Sequence, residues 1–250
     1  MDLLFPPRCF GCDRAAALLC PRCEPGLGVV TPPLCARCGR PWEEPLASCA
    51  ECPPSGVDAA RAPFLYEGPL PGAIKGLKFG GWRRLARHLA GAMGAAWDGD
   101  ADALTWVPLS PRRRRRRGFD QAELLARAMA RLIDLPCRPL LRRVRETPEQ
   151  ARRRADERRR ALRHAFDAPG PSPPTVVLVD DVMTTGATAA ACAGALRRAG
   201  ARRVLVLTAA RAIRAPAPTR CYGRPPHEAE GAARLLRADA RIEALRAERG

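Results

Sequence analysis

The stretch VVLVDDVMTTGATAA, Val176–Ala190, decides how the chain is to be read. Four apolar residues, Val176 to Val179, predict a short buried strand that ends at two adjacent acids, Asp180 and Asp181. After Val182 and Met183 come Thr184, Thr185, Gly186, Ala187 and Thr188, and small residues at helical spacing then lead to Leu196. A buried strand, an acidic end and a turn rich in hydroxyls and glycine make a phosphate cradle on an open α/β sheet. Ligands collect beyond the carboxyl ends of parallel strands, where backbone N–H groups and a helix N-terminus face an anion. Gly186 can take the positive φ that lets consecutive amides converge. Asp180 and Asp181 suit Mg²⁺ or sugar hydroxyls. Neighbours in a strand point opposite ways, but a chain that turns at the strand end would bring both into the cleft. No lysine stands in the loop as a GxxxxGK[ST] motif requires, which argues against a nucleotide triphosphatase.

Outward from this stretch, Leu104 to Leu109 predicts a second strand and Val204 to Leu207 a third. Gln121 to Arg131 predicts a helix with Leu124, Leu125 and Met129 inward. Ile74, Leu77 and Phe79 predict a brief helix, and Leu85, Leu89 and Met93 line the buried stripe of another. A short strand is expected near Phe64–Tyr66 and a further one within Leu140–Arg145. The only two lysines, Lys75 and Lys78, lie one turn apart, either on a solvated helix edge or against an anion near the cleft.

Eight of the 11 cysteines form four CxxC pairs: Cys9/Cys12, Cys20/Cys23, Cys35/Cys38 and Cys49/Cys52. Each pair offers two thiolates on one turn, and two turns complete a tetrahedral S₄ site, so the segment can hold one or two structural Zn²⁺ ions. Spacing leaves open whether the ligands pair sequentially or cross over. Phe5, Phe10, Leu27, Leu34 and Trp42 are too few for a core, so metal supplies much of the folding energy. Cys137, Cys192 and Cys221 read as ordinary small or buried residues. No secretory signal or apolar run long enough to span a membrane is visible, and the expected location is the cytoplasm. The expected division is a cysteine-rich unit over 1–54, an α/β domain over 55–214 and a charged, helix-compatible tail over 215–250.

The net charge is +17, with 41 arginines and two lysines. Six arginines run from Arg112 to Arg117, and between Arg112 and Arg163 there are 19 arginines against 7 acids. Such a run cannot lie in a core. It suits pyrophosphate, a nucleic-acid backbone or plain solvation, since any polyanion satisfies it. The stretch TPEQARRRADERRRALRHAF, 147–166, reads as a basic loop and helix able to close over a pyrophosphate.

The motif DDVMTTGAT resembles the phosphoribosyl-pyrophosphate motif of type I phosphoribosyltransferases. With the cysteine pairs, YEGPLPGAIKGLKFGG, VPLSPRRRRRRGFDQAELLAR and the TPEQ stretch in the same order, residues 5 to about 210 are similar to the ComF/GntX family of competence-related, amidophosphoribosyltransferase-like proteins. The resemblance implies a type I phosphoribosyltransferase-like parallel sheet with flanking helices beside an N-terminal double zinc ribbon. It implies that Asp180 and Asp181 hold the ribose hydroxyls of phosphoribosyl pyrophosphate, and that Thr184, Thr185, Gly186, Ala187 and Thr188 cradle its 5′-phosphate. Ser110, Arg112 and Arg117 would face the pyrophosphate alongside Mg²⁺. Gly118, Phe119 and Gln121 complete the family's RGF-x-Q signature. Ala161 stands where the family shows asparagine, and Thr184 stands where purine-salvage enzymes carry aspartate, which speaks against hypoxanthine–guanine salvage. Implied partners are single-stranded DNA and other competence or DNA-processing proteins, with DNA handling without catalysis as the alternative to phosphoribosyl transfer.

Overall fold

The computed structural model describes residues 8–213 apart from 16, 98, 146–161 and 163. Phe5, most of the basic stretch after Arg145, Ala161, Cys221 and the tail over 215–250 lie outside the described residues. The elements are β1 (Ala59–Arg61), β2 (Phe64–Leu65), α1 (Leu70–Phe79), α2 (Leu85–Ala95), β3 (Ala103–Trp106), α3 (Pro111–Arg117) and α4 (Gln121–Ile133). They continue with β4 (Arg142–Arg143), β5 (Phe166–Asp167), β6 (Thr175–Met183), α5 (Ala187–Arg198) and β7 (Arg203–Arg211).

One parallel sheet runs in the order β1–β7–β6–β3, with β2 on the same edge of β7 as β1. Its two central strands are apolar on both faces, as strands covered on both sides must be. Val177, Val179, Leu205 and Leu207 pack under α1, α2 and α4, where Leu77, Leu89, Leu125 and Met129 are buried. Val176, Leu178, Val204 and Val206 pack on the other face with Cys192 and Leu196 of α5 and with Phe166. The result is an α/β fold with a parallel sheet flanked by helices.

Several strands differ from expectation in extent: β7 runs on past Leu207 to Arg211, and β3 ends at Trp106 rather than Leu109. β6 does not stop at the acids: its ladder with β7 continues through Asp180↔Thr208, Val182↔Ala210 and Met183↔Arg211. The hydrogen-bond ladder uses only backbone groups, so side-chain polarity need not end it. Around Leu140–Arg145 only Arg142–Arg143 is strand, paired antiparallel to β5 and off the main sheet.

The arginine run is a helix, α3, which its charge alone does not predict. Arginine is a strong helix former. The Ser110 side chain accepts from the Arg113 amide at 3.4 Å and Pro111 occupies the first turn. Gly118, at φ 76°, closes the other end by donating its amide to the Arg114 carbonyl. Four of the arginines fall in the last turn, where the helix dipole favours positive charge.

Ahead of the sheet, the cysteine-rich segment is tied by single bridges such as Leu34↔Pro41 and Cys35↔Leu46. Among its described residues it has no separate apolar cluster: Phe10 and Leu27 are buried in the cluster beneath α1 and α2. Among the described residues no helix is long and apolar enough to cross a membrane.

Candidate functional site

The carboxyl ends of β3, β6 and β7 carry the candidate site. An open cleft of about 400 Å³, part of it solvent, is lined by Asp180, Val182, the turn Thr184–Thr188 and Thr208. Gly186 sits at φ 70° and ψ 4° as the residue before α5, the left-handed geometry that glycine accepts without penalty. The Ala187 amide is held by the Thr185 hydroxyl at 3.3 Å. Thr184 is exposed, Thr185, Ala187 and Thr188 half-buried, and Gly186 buried.

The two acids do not share this cleft. Because β6 runs on to Met183, alternation sends Asp180 to the α5 face and Asp181 to the α4 face. This corrects the expectation of a strand that turns at the acids. Asp180 lines the cleft and accepts from the Asp181 amide at 2.8 Å. Its pKa stands well above the usual carboxylate range, first because burial disfavours the charge and then because Asp181 is adjacent; Lys78 pulls it back only in part.

Asp181 is 4% exposed. Gln121 Nε2 donates to its Oδ1 at 3.3 Å, and the Lys78 ammonium ion-pairs its Oδ2 without a well-directed hydrogen bond. Arg117 in turn donates to Gln121 Oε1. Of the two lysines, Lys75 is a solvated edge residue, while Lys78 is a partner of the acid pair. Lys78 is signalled in the sequence by the scarcity of lysine among 41 arginines and by its place in YEGPLPGAIKGLKFGG, whereas no local signal ties Gln121 to Asp181.

Ser110 is buried and uses its hydroxyl to cap α3. Arg112 is exposed, and Arg117 is half-buried against the Gln121–Asp181 pair. Asp120 fastens the loop after β3: its Oδ2 accepts from Leu109 N at 2.8 Å and its Oδ1 from Ala122 N at 3.0 Å, capping α4. Within α3, Arg114 pairs with Glu123 at 3.2 Å, whereas Arg112, Arg115 and Arg116 are exposed and make no ion pair among the described residues.

The cysteines form two groups, Cys9–Cys12–Cys20–Cys23 and Cys35–Cys38–Cys49–Cys52, each with its sulfurs within 4.8 Å of one another. Pairing is therefore sequential. Sulfur separations of 3.4 Å for Cys38–Cys49 and 3.6 Å for Cys35–Cys52 and Cys12–Cys20 exclude disulfides. They fit the edges, about 3.8 Å, of a tetrahedron built on Zn–S bonds of about 2.3 Å. Burial alone would raise the Cys9 thiol, but the amides of Cys20, Gly11 and Cys12 converge on its sulfur and bring its pKa down to about 6. Cys35 is lowered to about 7 against the same burial by the Cys38 amide and its neighbours. These centres suit structural zinc, with every ligand position filled by sulfur.

The second centre is docked on the sheet. Arg211, at the end of β7 and 1% exposed, donates to the carbonyls of Cys38 at 3.0 Å and Glu51 at 3.4 Å. Pro53 covers the Thr184–Thr188 turn so closely that a Cβ on Gly186 would collide with the proline ring. Neither approach is visible in the sequence, because each joins segments far apart along the chain.

Residues 1–53 match the double zinc ribbon domain family. The DNA utilization protein YhgH of Salmonella typhimurium is 32% identical over 207 residues, covering 79% of this chain and 87% of that protein. Competence protein F of Haemophilus influenzae is 32% identical over 195 residues, covering 72% and 85%. Among solved structures, the glutamine phosphoribosylpyrophosphate amidotransferase from B. subtilis complexed with ADP and GMP aligns with a TM-score of 0.39 at 20% identity. That alignment covers 54% of this chain and 30% of the other.

Proposed function

The chain belongs to the ComF/YhgH family of competence and DNA-utilization proteins, and on that premise we propose that it handles single-stranded DNA through the arginine-bearing carboxyl edge of its sheet. The observation that carries this is α3: a solvent-facing helix of consecutive arginines, with Arg112, Arg115 and Arg116 exposed and not ion-paired among the described residues. At about 100° per residue, positions i, i+3 and i+4 share one face of a helix, so the three guanidinium groups stand together and can neutralise phosphates of a flexible strand. In this reading the zinc unit over 1–54 braces the α/β domain over 55–214, and the work is done in the cytoplasm beside other DNA-processing proteins.

Replacing Arg112, Arg115 and Arg116 by glutamine keeps helix propensity and removes three charges. Each phosphate that is no longer neutralised on a single strand lowers the slope of log affinity against log salt by about 0.7, so a fall of roughly 2 is expected. Fluorescence anisotropy across a salt series reads it, and a slope equal to that of the unchanged protein would overturn the assignment.

A second reading is favoured by the cleft itself. The threonine-rich turn, the buried Gly186 and Asp180 facing the same opening support binding of phosphoribosyl pyrophosphate at its 5′-phosphate and ribose. Asp180 keeps one carboxylate oxygen for a hydroxyl or a metal, since the other is engaged by the Asp181 amide. Lys78 and Gln121 already engage Asp181. The residues therefore fit Mg²⁺ that arrives on the pyrophosphate and keeps most of its water, with Asp180 as the protein oxygen. Calorimetric titration of phosphoribosyl pyrophosphate with Mg²⁺ should show binding that Asp180→Asn weakens about tenfold or more. A flat titration of the unchanged protein would remove this second reading and leave the first intact.

A further inference from the structure

The end of α1 and the turn between α3 and α4 face each other beside Asp181, and they present two aromatic rings that the core does not use. Leu70, Ile74 and Leu77 of α1 are fully buried, yet Phe79 in its last turn is 65% exposed. Two residues beyond Leu77, Phe79 falls about 200° round the helix from it and so off the buried face, while the Trp82 ring folds back over Gly76, occupying the space that a Cβ there would need. The Arg117 guanidinium lies 4.7 Å from the centroid of Phe79. The Arg83 guanidinium lies 4.6 Å from the centroid of Phe119, and Arg83 also reaches to 4.0 Å from the Cβ position of Gly118. The two pairs are thus neighbours, built from Phe79 at the end of α1 and Arg83 just after it on one side, and from Arg117 at the end of α3 and Phe119 just after it on the other.

A single exposed phenylalanine needs no explanation. Two rings, each beside a guanidinium and adjoining a helix of exposed arginines, have a specific chemical complement. The flat faces of ring and guanidinium stack on a heterocyclic base, and the positive charge meets the phosphate on either side of it. We propose that the Phe79–Arg117 and Phe119–Arg83 pairs form a seat for an unpaired base of single-stranded DNA. This rests on the DNA reading above and deepens it: α3 holds the backbone, and the seat holds a base of the same strand. Through Gln121, Arg117 also links the seat to Asp181, so an occupied seat borders the acid pair.

The test uses the full chain, an oligothymidylate of about 12 nucleotides and an abasic strand of equal length, within the range of single-strand site sizes. The unchanged protein should prefer the base-bearing strand. Phe79→Ala should bind that strand roughly tenfold more weakly, keep its salt slope because every phosphate partner remains in place, and no longer tell the two strands apart. Phe79→Trp should restore affinity, with a tryptophan emission quenched by the thymidylate strand only. Equal binding of both strands by the unchanged protein, or wild-type discrimination by Phe79→Ala, overturns the seat while leaving backbone binding standing. Failure to bind either strand at low salt overturns both.

Discussion

Chelating zinc from the purified protein should release two ions per chain, unfold the cysteine-rich segment and lower the melting point of what remains by roughly 10 °C. The first two outcomes follow from the absence of an independent core: Phe10 and Leu27 leave the segment to pack under α1 and α2, and the rest is held by sulfur. In small zinc modules the metal supplies an apparent ~10–16 kcal/mol, which is then folding energy. The third follows from docking. The Arg37 carbonyl of the ribbon accepts from the Ala60 amide of β1, two further ribbon carbonyls accept from the Arg211 guanidinium, and Pro53 sits on the cradle turn. Undocking the ribbon exposes an edge strand and removes the two carbonyl partners of the Arg211 guanidinium, each such hydrogen bond to a charged group contributing about 1.5–3 kcal/mol. For a chain of this size, 1 kcal/mol corresponds to about 2–4 °C. Atomic absorption gives the stoichiometry and calorimetry the transition. Cys35→Ser with Cys38→Ser should leave one ion bound at the first centre. A metal-free protein that melts like the zinc-loaded one would refute the bracing role.

Much of the fold is legible in the sequence because the strongest signals are also the physically decisive ones. The apolar runs at Val176–Val179 and Val204–Leu207 are continuous because both sheet faces are covered, and sequential four-cysteine sites are among the alternatives that CxxC spacing allows. Leu85, Leu89 and Met93 fall on one helical stripe and are buried together. What escapes a sequence reading is set by backbone or by distant partners. The β6 ladder passes through Asp180 and Asp181 because it does not consult side chains, and that extension assigns the two acids to opposite faces. The arginine run advertises only its charge, although Ser110–Pro111 and Gly118 bracket a helix at its two ends. Within the site, the cradle turn lies in one stretch of sequence. Its surroundings do not, since Pro53 covers the turn, and Lys78 and Gln121 engage Asp181, from three other segments.

Arg211→Met should be among the most damaging single substitutions outside the cysteines, and its effect should reach a site that Arg211 does not touch. Four thiolates around a divalent ion leave such a centre doubly negative. A charge of that size inside a protein demands a counter-charge. Arg211 supplies one at the second centre: burial holds the Cys38 thiol above its ordinary value, and the Arg211 charge opposes that rise. Methionine approaches the length of the side chain but donates nothing, so the Cys38 and Glu51 carbonyls lose their partner and the centre loses its cation. A destabilisation of about 3–5 kcal/mol is expected, measurable by urea unfolding. Zinc at the second centre should leave faster to a chromogenic chelator, while the first centre, which has no hydrogen bond from Arg211 among the described residues, keeps its rate. Because the same ribbon carries Pro53 onto Gly186, a loosened ribbon also frees the cradle turn to sample other conformations. Phosphate or phosphoribosyl pyrophosphate binding should then weaken, even though Arg211 is not part of the cleft lining. Unchanged release from the second centre would mean that the zinc unit and the cradle are merely adjacent. Faster release together with weaker anion binding would establish that metal at the ribbon shapes the phosphate site through β7.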